Sequence, residues 1–329
     1  MSFDVNPFSF FPRLPFVALV ATPAILVSGC GKRSPDAVPD ASPPRSQAFA
    51  GNGRPRVFAV NYPLAWFAER IGGDAIDLVY PVEPGVDPAF WEPADAQIAD
   101  FQSADLILRN GASYAKWAEK VTLPESTQVD TSRAFADALI EVKDAATHSH
   151  GKGGEHSHSG TAFTTWLDIR QARSQAQAVR DALAALLPGR AAEFGERFEG
   201  LAGQLDLLDA DLEAVGKSLA GRPVVASHPI YQYFVRRYGL NLQSVLWEPE
   251  VVPDDAALAD LQKILAAHPA KLMIWEGEPA PESVAKLKAL GLESVVFAPC
   301  ANRPEGNAQD FLSVMRGNLK NLEAAARAP

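Results

Sequence analysis

The chain is poor in cysteine and in positive charge. Two of its 329 residues are cysteines, Cys30 and Cys300, and its 30 Lys and Arg residues are outnumbered by 40 Asp and Glu residues, for a formal net charge of −10. A phosphate backbone is bound by basic patches, so this balance argues against a nucleic-acid partner. Hydrophobic residues make up 47% of the chain, and its length is sufficient for two α/β lobes.

Sequence patterns typical of enzymes are also missing. We find no nucleophile elbow, no phosphate-cradling glycine loop and no dinucleotide-binding fingerprint. An enzyme that used Cys300 with His228 would therefore have no motif to support it. We expect a binding protein without a catalytic residue.

The N-terminus has the pattern of an export signal. An apolar run at residues 14–27 follows Arg13, and small residues lead to Cys30. The run is too short for a typical membrane span and suits the hydrophobic region of a signal peptide. The string VSGC at 27–30 resembles a bacterial lipobox; the alternative is a chance cysteine after an uncleaved signal anchor. We predict a lipoprotein signal peptide at 1–30 and a periplasmic or cell-surface protein anchored in the membrane through lipidated Cys30, which would leave Cys300 without a disulfide partner.

The rest of the chain divides by composition and periodicity. Residues 31–55 are rich in Pro, Ser, Ala and Arg and predict a disordered tether. From residue 56 onward, short apolar strands alternate with helices, which is typical of parallel sheets with helical crossovers. The predicted fold class is α/β, with two parallel-sheet lobes joined by one long rigid helix. The predicted parts are an N-terminal lobe at 56–167, a helical connection at 168–221 and a C-terminal lobe at 222–329.

The connection contains a long apolar stripe at helical spacing. Its members follow one another by four and three residues: Phe194, Phe198, Leu201, Leu205, Leu208, Leu212, Val215 and Leu219. The stripe predicts a helix at about 191–219. It is compatible with a coiled-coil dimer seam or with a strut packed against both lobes of a monomer. Several glycines in the helix weaken it as a free-standing coil, which favours the strut.

Candidate ligands lie where the predicted strands end. In parallel sheets, ligands bind beyond the carboxyl ends of the strands. In the first lobe this position holds Asp87, together with Phe90 and Trp91. In the second lobe it holds residues that can bind a metal, namely His228, Glu248, Glu276 and Cys300. Each could instead be a helix cap, a solvated acid or a small buried side chain.

A second group of histidines lies in an insertion at 147–160 that is rich in Gly, His and Ser. His148, His150, His156 and His158 are four of the six histidines of the chain. Such His-x-His pairs can bind zinc through neutral imidazoles. Because ordering a glycine-rich loop costs conformational entropy, we expect an auxiliary metal-collecting loop of modest affinity. The alternative is a solvated insertion.

Five segments resemble the periplasmic zinc and manganese solute-binding lipoproteins of ABC importers. They are YPLAWFAERIGGD at 62–74, PGVDPAFWEP at 84–93, ADLILRNG at 104–111, TTWLD at 164–168 and SHPIYQYFVRRYGL at 227–240. The resemblance covers residues 56–322 and implies two α/β lobes joined by a rigid helix. It also implies a monomer that delivers zinc or manganese to an ABC permease in the inner membrane.

The ligand set that the resemblance implies is incomplete. Ala89 and Thr164 stand where the family supplies histidines, Ala298 stands where it supplies an acid, and His228 is retained. One histidine cannot bind zinc tightly, since such sites need about three or four protein ligands. The site could be rebuilt from His228 with Glu276, Cys300 and either Asp87 or Asp168.

The sequence leaves two alternatives to such a rebuilt site. The cleft could hold a chelated metal or another solute between aromatic walls formed by Phe90, Trp91, Trp166 and Tyr231. The histidine-rich insertion could instead be the main metal-handling element. The function that the sequence predicts is capture of a divalent metal ion, zinc before manganese, for an ABC importer; the alternative is a surface-anchored metal buffer or adhesin on the same scaffold.

Overall fold

The structure, a computed structural model, describes residues 53–142, 160–305 and 309–327, and the backbone alone of 147–149 and 155–157. These residues belong to one compact unit, Ala48–Pro329. Within the described residues, no helix has both the length and the apolar character needed to cross a membrane. The predicted signal peptide with Cys30, and all but three residues of the predicted tether, lie outside the described residues.

The first lobe is a four-stranded parallel sheet with helical crossovers. In chain order its elements are β1 (Arg56–Ala59), α1 (Tyr62–Gly72), β2 (Asp77–Val79), α2 (Asp95–Gln102), β3 (Leu106–Arg109) and β4 (Gln128–Asp130). The strand order is β2-β1-β3-β4. Asn61 caps α1 by accepting a hydrogen bond from the backbone N–H of Leu64 at 3.2 Å, and Pro63 in the first turn needs no such partner.

Short antiparallel strands follow the first sheet. They are β5 (Glu141–Val142), β6 (Thr147–Ser149), β7 (Glu155–Ser157) and β8 (Gly160–Thr161), with β5 paired to β8 and β6 paired to β7. The backbones of His148 and His156 are direct partners in the second pair. The insertion predicted as an irregular loop thus has strand pairing in its described backbone, while His150 and His158 lie outside the described residues.

Two long helices connect the lobes. They are α3 (Ile169–Leu186) and α4 (Ala191–Ser218), the latter with 28 residues and a length of about 42 Å at about 1.5 Å per residue. The predicted apolar stripe of α4 is buried within the chain itself. The stripe therefore packs as a strut, and the alternative of an exposed coiled-coil seam is wrong.

The second lobe repeats the architecture of the first. Its elements are β9 (Pro223–Ala226), α5 (Gln232–Tyr238), β10 (Asn241–Ser244), α6 (Asp255–Ala267), β11 (Leu272–Trp275), α7 (Pro281–Ala289), β12 (Glu293–Val296) and α8 (Phe311–Arg327). All pairs are parallel, in the order β10-β9-β11-β12. The strand order places the ends of β9, β10 and β11 side by side.

Contacts of α4 and α8 join the two lobes. Helix α4 packs against α1 of the first lobe and against α5 and α8 of the second. Phe311 of α8 packs on Trp66 and Phe67 of α1, with ring centroids 5.3 and 5.8 Å apart. One continuous hydrophobic core therefore includes residues of both lobes and of the linking helices. The predicted α/β fold with a long linking helix is confirmed.

Candidate functional site

Three potential metal ligands meet at the carboxyl edge of the second sheet. His228 follows β9, Glu248 follows β10 and Glu276 follows β11 directly. One ligand atom from each residue lies within 4.8 Å of the other two. An imidazole with two carboxylates is a donor set that suits zinc or manganese.

The imidazole of His228 is fixed by acceptors on one side. Its Nδ1 lies 3.0 Å from the carbonyl oxygen of Trp247 and 3.0 Å from Oε1 of Glu276. Both neighbours accept hydrogen bonds, so they favour a proton on Nδ1 and a lone pair for metal binding on Nε2. Nε2 faces Glu248, with Oε1 at 3.6 Å.

Burial and charge act in opposite directions on His228. The side chain is 1% exposed, and burial alone favours the neutral imidazole. The hydrogen bond to Glu276 and the negative charges of Glu276 and Glu248 outweigh burial and hold the pKa of His228 above its usual value. The surroundings therefore stabilise positive charge at this point, which is the electrostatic requirement for binding a cation.

A small cavity beside this cluster is lined by both lobes. Its volume is about 50 Å³, and its walls consist of Asp87, Tyr114, Phe163, Thr164, Trp166, His228, Ile230, Glu276, Pro299 and Ala301. We call it the interlobe cavity. A volume of this size accommodates an ion together with water. Pockets for small organic ligands are larger, at about 300–1,000 Å³.

Asn302 ties the loop of Asp87 to the second lobe. Its Nδ2 donates to the carbonyl oxygens of Glu83 and Val86 at 2.7 and 2.8 Å, and its Oδ1 accepts from Tyr80 at 2.9 Å. These bonds position Asp87, the predicted ligand from the first lobe, in the wall of the interlobe cavity. Asp87 is not one of the three clustered residues.

Of the four predicted aromatic wall residues, the structure brings Trp166 to the interlobe cavity. Its Nε1 donates to the carbonyl oxygen of Pro299 at 2.8 Å. Phe90 packs behind the wall against Phe163, with ring centroids 6.1 Å apart. Trp91 lies in the first-lobe core, where it stacks edge-on against Trp117. Tyr231 is buried, and its hydroxyl donates to the carbonyl oxygen of Phe297 at 2.8 Å.

Cys300 does not join the cluster, contrary to the prediction. Its neighbours Pro299 and Ala301 line the interlobe cavity, whereas Cys300 has a left-handed backbone with φ of 57° and is absent from the described wall. Its Sγ lies 3.9 Å from the carbonyl oxygen of Asn302. Burial, with a contribution from the charge of Asp310, raises the pKa of the thiol to about 12, so it remains protonated.

Asp168 also lies away from the cluster, and the prediction that it could be a ligand is corrected. Its Oδ1 accepts hydrogen bonds from the backbone N–H groups of Arg170 and Gln171, at 3.0 and 3.4 Å, and so caps α3. Arg236 and Arg237 each lie 4.0 Å from the carboxylate. Burial raises the pKa of Asp168, and the capping bonds and the two arginines offset part of that effect.

The three positions where ligands were expected and are missing have structural roles. Ala89 is buried at the end of the Asp87 loop. Thr164 lines the interlobe cavity, but its hydroxyl donates to the carbonyl oxygen of Ile230. Ala298 exchanges two backbone hydrogen bonds with the side-chain amide of Asn318, at 3.0 and 2.7 Å. These residues supply no metal ligand from their side chains.

Glu248 is the member of the cluster that the predicted rebuilt site left out. The sequence pattern that predicts Glu276 as a ligand applies to Glu248 as well, because both residues follow a strand of the second lobe. What the sequence does not show is that β10 and β11 flank β9 on either side. That order puts one carboxylate on each side of His228.

Comparison with known proteins agrees with this architecture. The zinc-binding protein AdcA of Streptococcus pyogenes serotype M1 is 27% identical over 296 residues, which cover 84% of this chain and 57% of AdcA, so the chain spans a little over half of that relative. The structure of the metal-dependent lipoprotein YcdH from Bacillus subtilis superposes with a TM-score of 0.70 at 19% identity and covers 82% of this chain and 99% of YcdH. Zn(II)-bound AdcA from Streptococcus pneumoniae superposes with a TM-score of 0.69 at 21% identity and covers 84% of this chain and 58% of AdcA.

The match to a family extends over both lobes and the linking helices. The family described as ZnuA, zinc-uptake complex component A, periplasmic, matches residues 57–325. This range contains all three clustered residues and every wall residue of the interlobe cavity. The chain belongs to the ZnuA family.

Proposed function

We propose that this chain is the substrate-binding component of an ABC importer and that its cargo is zinc. The observation that carries the proposal is the meeting of His228, Glu248 and Glu276 within 4.8 Å beside a cavity lined by both lobes. The zinc-binding relatives support the choice of metal. Zinc is also bound more tightly than manganese by most sites of this kind, following the general order of divalent metals.

The cluster provides charge and orientation for capture. Two carboxylates neutralise the ion, and the bond from Nδ1 of His228 to the carbonyl oxygen of Trp247 orients the imidazole ring. The partial burial of the cluster strengthens the attraction between the ion and the carboxylates. Its volume of about 50 Å³ favours a bare ion over a chelated metal or an organic solute.

The rest of the proposal concerns location and partners. A chain anchored through Cys30 outside the inner membrane would release its cargo to a permease in that membrane, and would act there as a monomer. The histidine-rich segment would collect zinc without determining specificity, because ordering a glycine-rich segment costs conformational entropy and limits its affinity. Metal capture needs no catalytic residue, and membership of a solute-binding family agrees with this.

Calorimetric titration of the purified chain with zinc tests the proposal. His228→Ala should weaken binding by more than about 100-fold, since loss of residues that only orient a ligand already costs about 10–100-fold. Deletion of residues 147–159 should leave this tight binding intact. His268→Gln is the matched control, because His268 is also buried in the second lobe but bonds the carbonyl oxygen of Val224.

The reverse pattern would overturn the proposal. If zinc binding survived His228→Ala and disappeared with the deletion, the histidine-rich segment would be the principal site. Circular dichroism of each variant distinguishes loss of a ligand from loss of the fold.

A further inference from the structure

A buried hydroxyl in the wall of the interlobe cavity is not used by the fold. Tyr114 is 3% exposed, and among the described residues its Oη has no hydrogen-bond partner. Leaving such a group unsatisfied costs about 1–3 kcal/mol, and most buried hydroxyls in proteins do have a partner. Tyr114 is therefore a candidate for contact with a ligand of the cavity.

Strained backbone places Tyr114 in this wall. The three preceding residues, Gly111, Ala112 and Ser113, have φ of 73°, 51° and 53°. Two consecutive residues with side chains in this conformation cost about 1–2 kcal/mol each. The turn closes with a hydrogen bond from the backbone N–H of Tyr114 to the carbonyl oxygen of Gly111, at 3.1 Å. A Cβ at Gly111 would collide with the side chains of Asp130 and Ser132, so glycine is required there.

The ring of Tyr114 is directed by two other wall residues. It makes edge-to-face contacts with Phe163 and Trp166, with ring centroids 5.4 and 5.6 Å apart. Tyr114 also borders a larger, open cavity of about 730 Å³, but Phe163, Trp166 and Asp87 line the interlobe cavity and do not line the larger one. The aromatic residues that contact Tyr114 therefore line the same cavity as His228 and Glu276. Burial raises the pKa of Tyr114 well above its usual value, with a smaller contribution from the charge of Asp87, so the hydroxyl keeps its proton.

The cluster itself requires a further ligand. Three protein ligands leave the fourth position of a tetrahedral zinc site for a water molecule. On the first-lobe side, Ala89 has no ligand atom in its side chain and the hydroxyl of Thr164 is bonded to Ile230. Oδ1 of Asp87 accepts a hydrogen bond from the backbone N–H of Ala89 at 2.9 Å, and Asp87 is not in the cluster. The interlobe cavity has room for at least one water beside an ion.

We propose that the hydroxyl of Tyr114 hydrogen-bonds a water molecule that completes the coordination of the metal held by His228, Glu248 and Glu276. Tyr114 is then a positioning residue that acts on the metal through this water. The inference rests on the proposed function and deepens it, since it replaces a missing histidine ligand by a water held from the first lobe. It also predicts that the bound metal carries a water ligand that exchanges with solvent.

Tyr114→Phe tests the inference in the purified chain, with zinc and with cobalt(II) as a spectroscopic substitute. The variant should weaken zinc binding by about tenfold, as expected for loss of a residue that orients a metal ligand. The visible spectrum of bound cobalt(II) should change, because the bonding of its water ligand changes. The melting temperature of the metal-free variant should not fall, since the deleted hydroxyl has no partner among the described residues.

Tyr238→Phe is the matched control. Its hydroxyl donates to Oδ1 of Asp209 at 3.0 Å, and Tyr238 is not in the described wall of the interlobe cavity. Loss of that bond should lower the melting temperature and leave zinc affinity and the cobalt(II) spectrum unchanged. A purely structural role for Tyr114 would give the same pattern as this control.

Unchanged zinc affinity and an unchanged cobalt(II) spectrum in Tyr114→Phe would overturn the inference. If His228→Ala still abolished binding, the proposed function would stand and only the role of Tyr114 would fail. If His228→Ala left zinc binding unchanged, both the proposed function and the proposed role of Tyr114 would fail. Should Tyr114→Phe not fold, water-proton relaxation of the wild-type chain loaded with manganese(II) decides, because absence of a metal-bound exchangeable water contradicts the proposal.

Discussion

The residues of the cluster differ in how far the sequence identifies them. His228 and Glu276 could be predicted, because each follows a strand of a parallel sheet and can bind a metal. Glu248 satisfies the same rule, but its place depends on the spatial order of β9, β10 and β11. Cys300 also follows a strand, but its backbone has a left-handed φ of 57°, and it is neither in the cluster nor in the described cavity wall. The sequence does not predict a left-handed φ at a residue other than glycine, because such residues rarely adopt it.

Substitution of Glu248 and of Cys300 tests which of these two residues binds the metal. Glu248→Gln should weaken zinc binding by about 10–100-fold, because the negative charge next to Nε2 of His228 is lost. Cys300→Ser should leave zinc affinity unchanged, since Sγ contacts the carbonyl of Asn302 instead of the cluster. Calorimetry measures both, with exposed Glu250→Gln as the charge control. A large loss in Cys300→Ser with none in Glu248→Gln would reverse the assignment.

The thiol of Cys300 should be unreactive in the folded protein. Its pKa is raised to about 12 by burial, and the thiolate is the form that attacks alkylating reagents. Iodoacetamide at pH 8 should therefore leave the peptide of Cys300 unmodified and should label it after denaturation. Mass spectrometry of the digested protein measures this peptide separately from that of Cys30. Rapid labelling of the native protein would show that the thiol is accessible and ionised.

At the scale of elements, α4 could be predicted almost to the residue, with 191–219 expected and Ala191–Ser218 observed. Its apolar stripe has a strict helical period, which tertiary contacts do not obscure. The strand β4, with three residues, was not predicted. The strand pairs β5–β8 and β6–β7 were also missed, since strands of two or three residues carry too little periodicity to recognise.

A glycine of α4 sets how closely this helix approaches α5. A Cβ at Gly216 would collide with the carbonyl oxygen of Tyr238, whereas a Cβ at Gly203 of the same helix would meet nothing within 4 Å. Gly216→Ala should lower the free energy of unfolding by about 1–3 kcal/mol through overpacking. Gly203→Ala should raise it by up to about 1 kcal/mol through helix propensity. Urea denaturation of both variants measures this; equal gains would show that α4 and α5 are not in close contact.

At the scale of the molecule, the two lobes are held together around the site. The carbonyl oxygens of Pro299 and Ala301 accept hydrogen bonds from Trp166 and Tyr62, at 2.8 and 2.9 Å. Asn302 adds the bonds that hold the Asp87 loop. Because these contacts and the shared core join the lobes, we expect metal capture with little relative movement. The sequence predicts the two lobes and their helix, but contacts between side chains so distant along the chain have no local signal.

The position of bound zinc tests this account most directly. Crystals of the purified chain grown with zinc should give an anomalous diffraction peak at the zinc absorption edge, between His228 and the carboxylates of Glu248 and Glu276. The expected bond lengths are about 2.0–2.2 Å, and the peak should lie where the cluster borders the interlobe cavity. Zinc bound at the histidine-rich segment with no peak beside His228 would contradict the account.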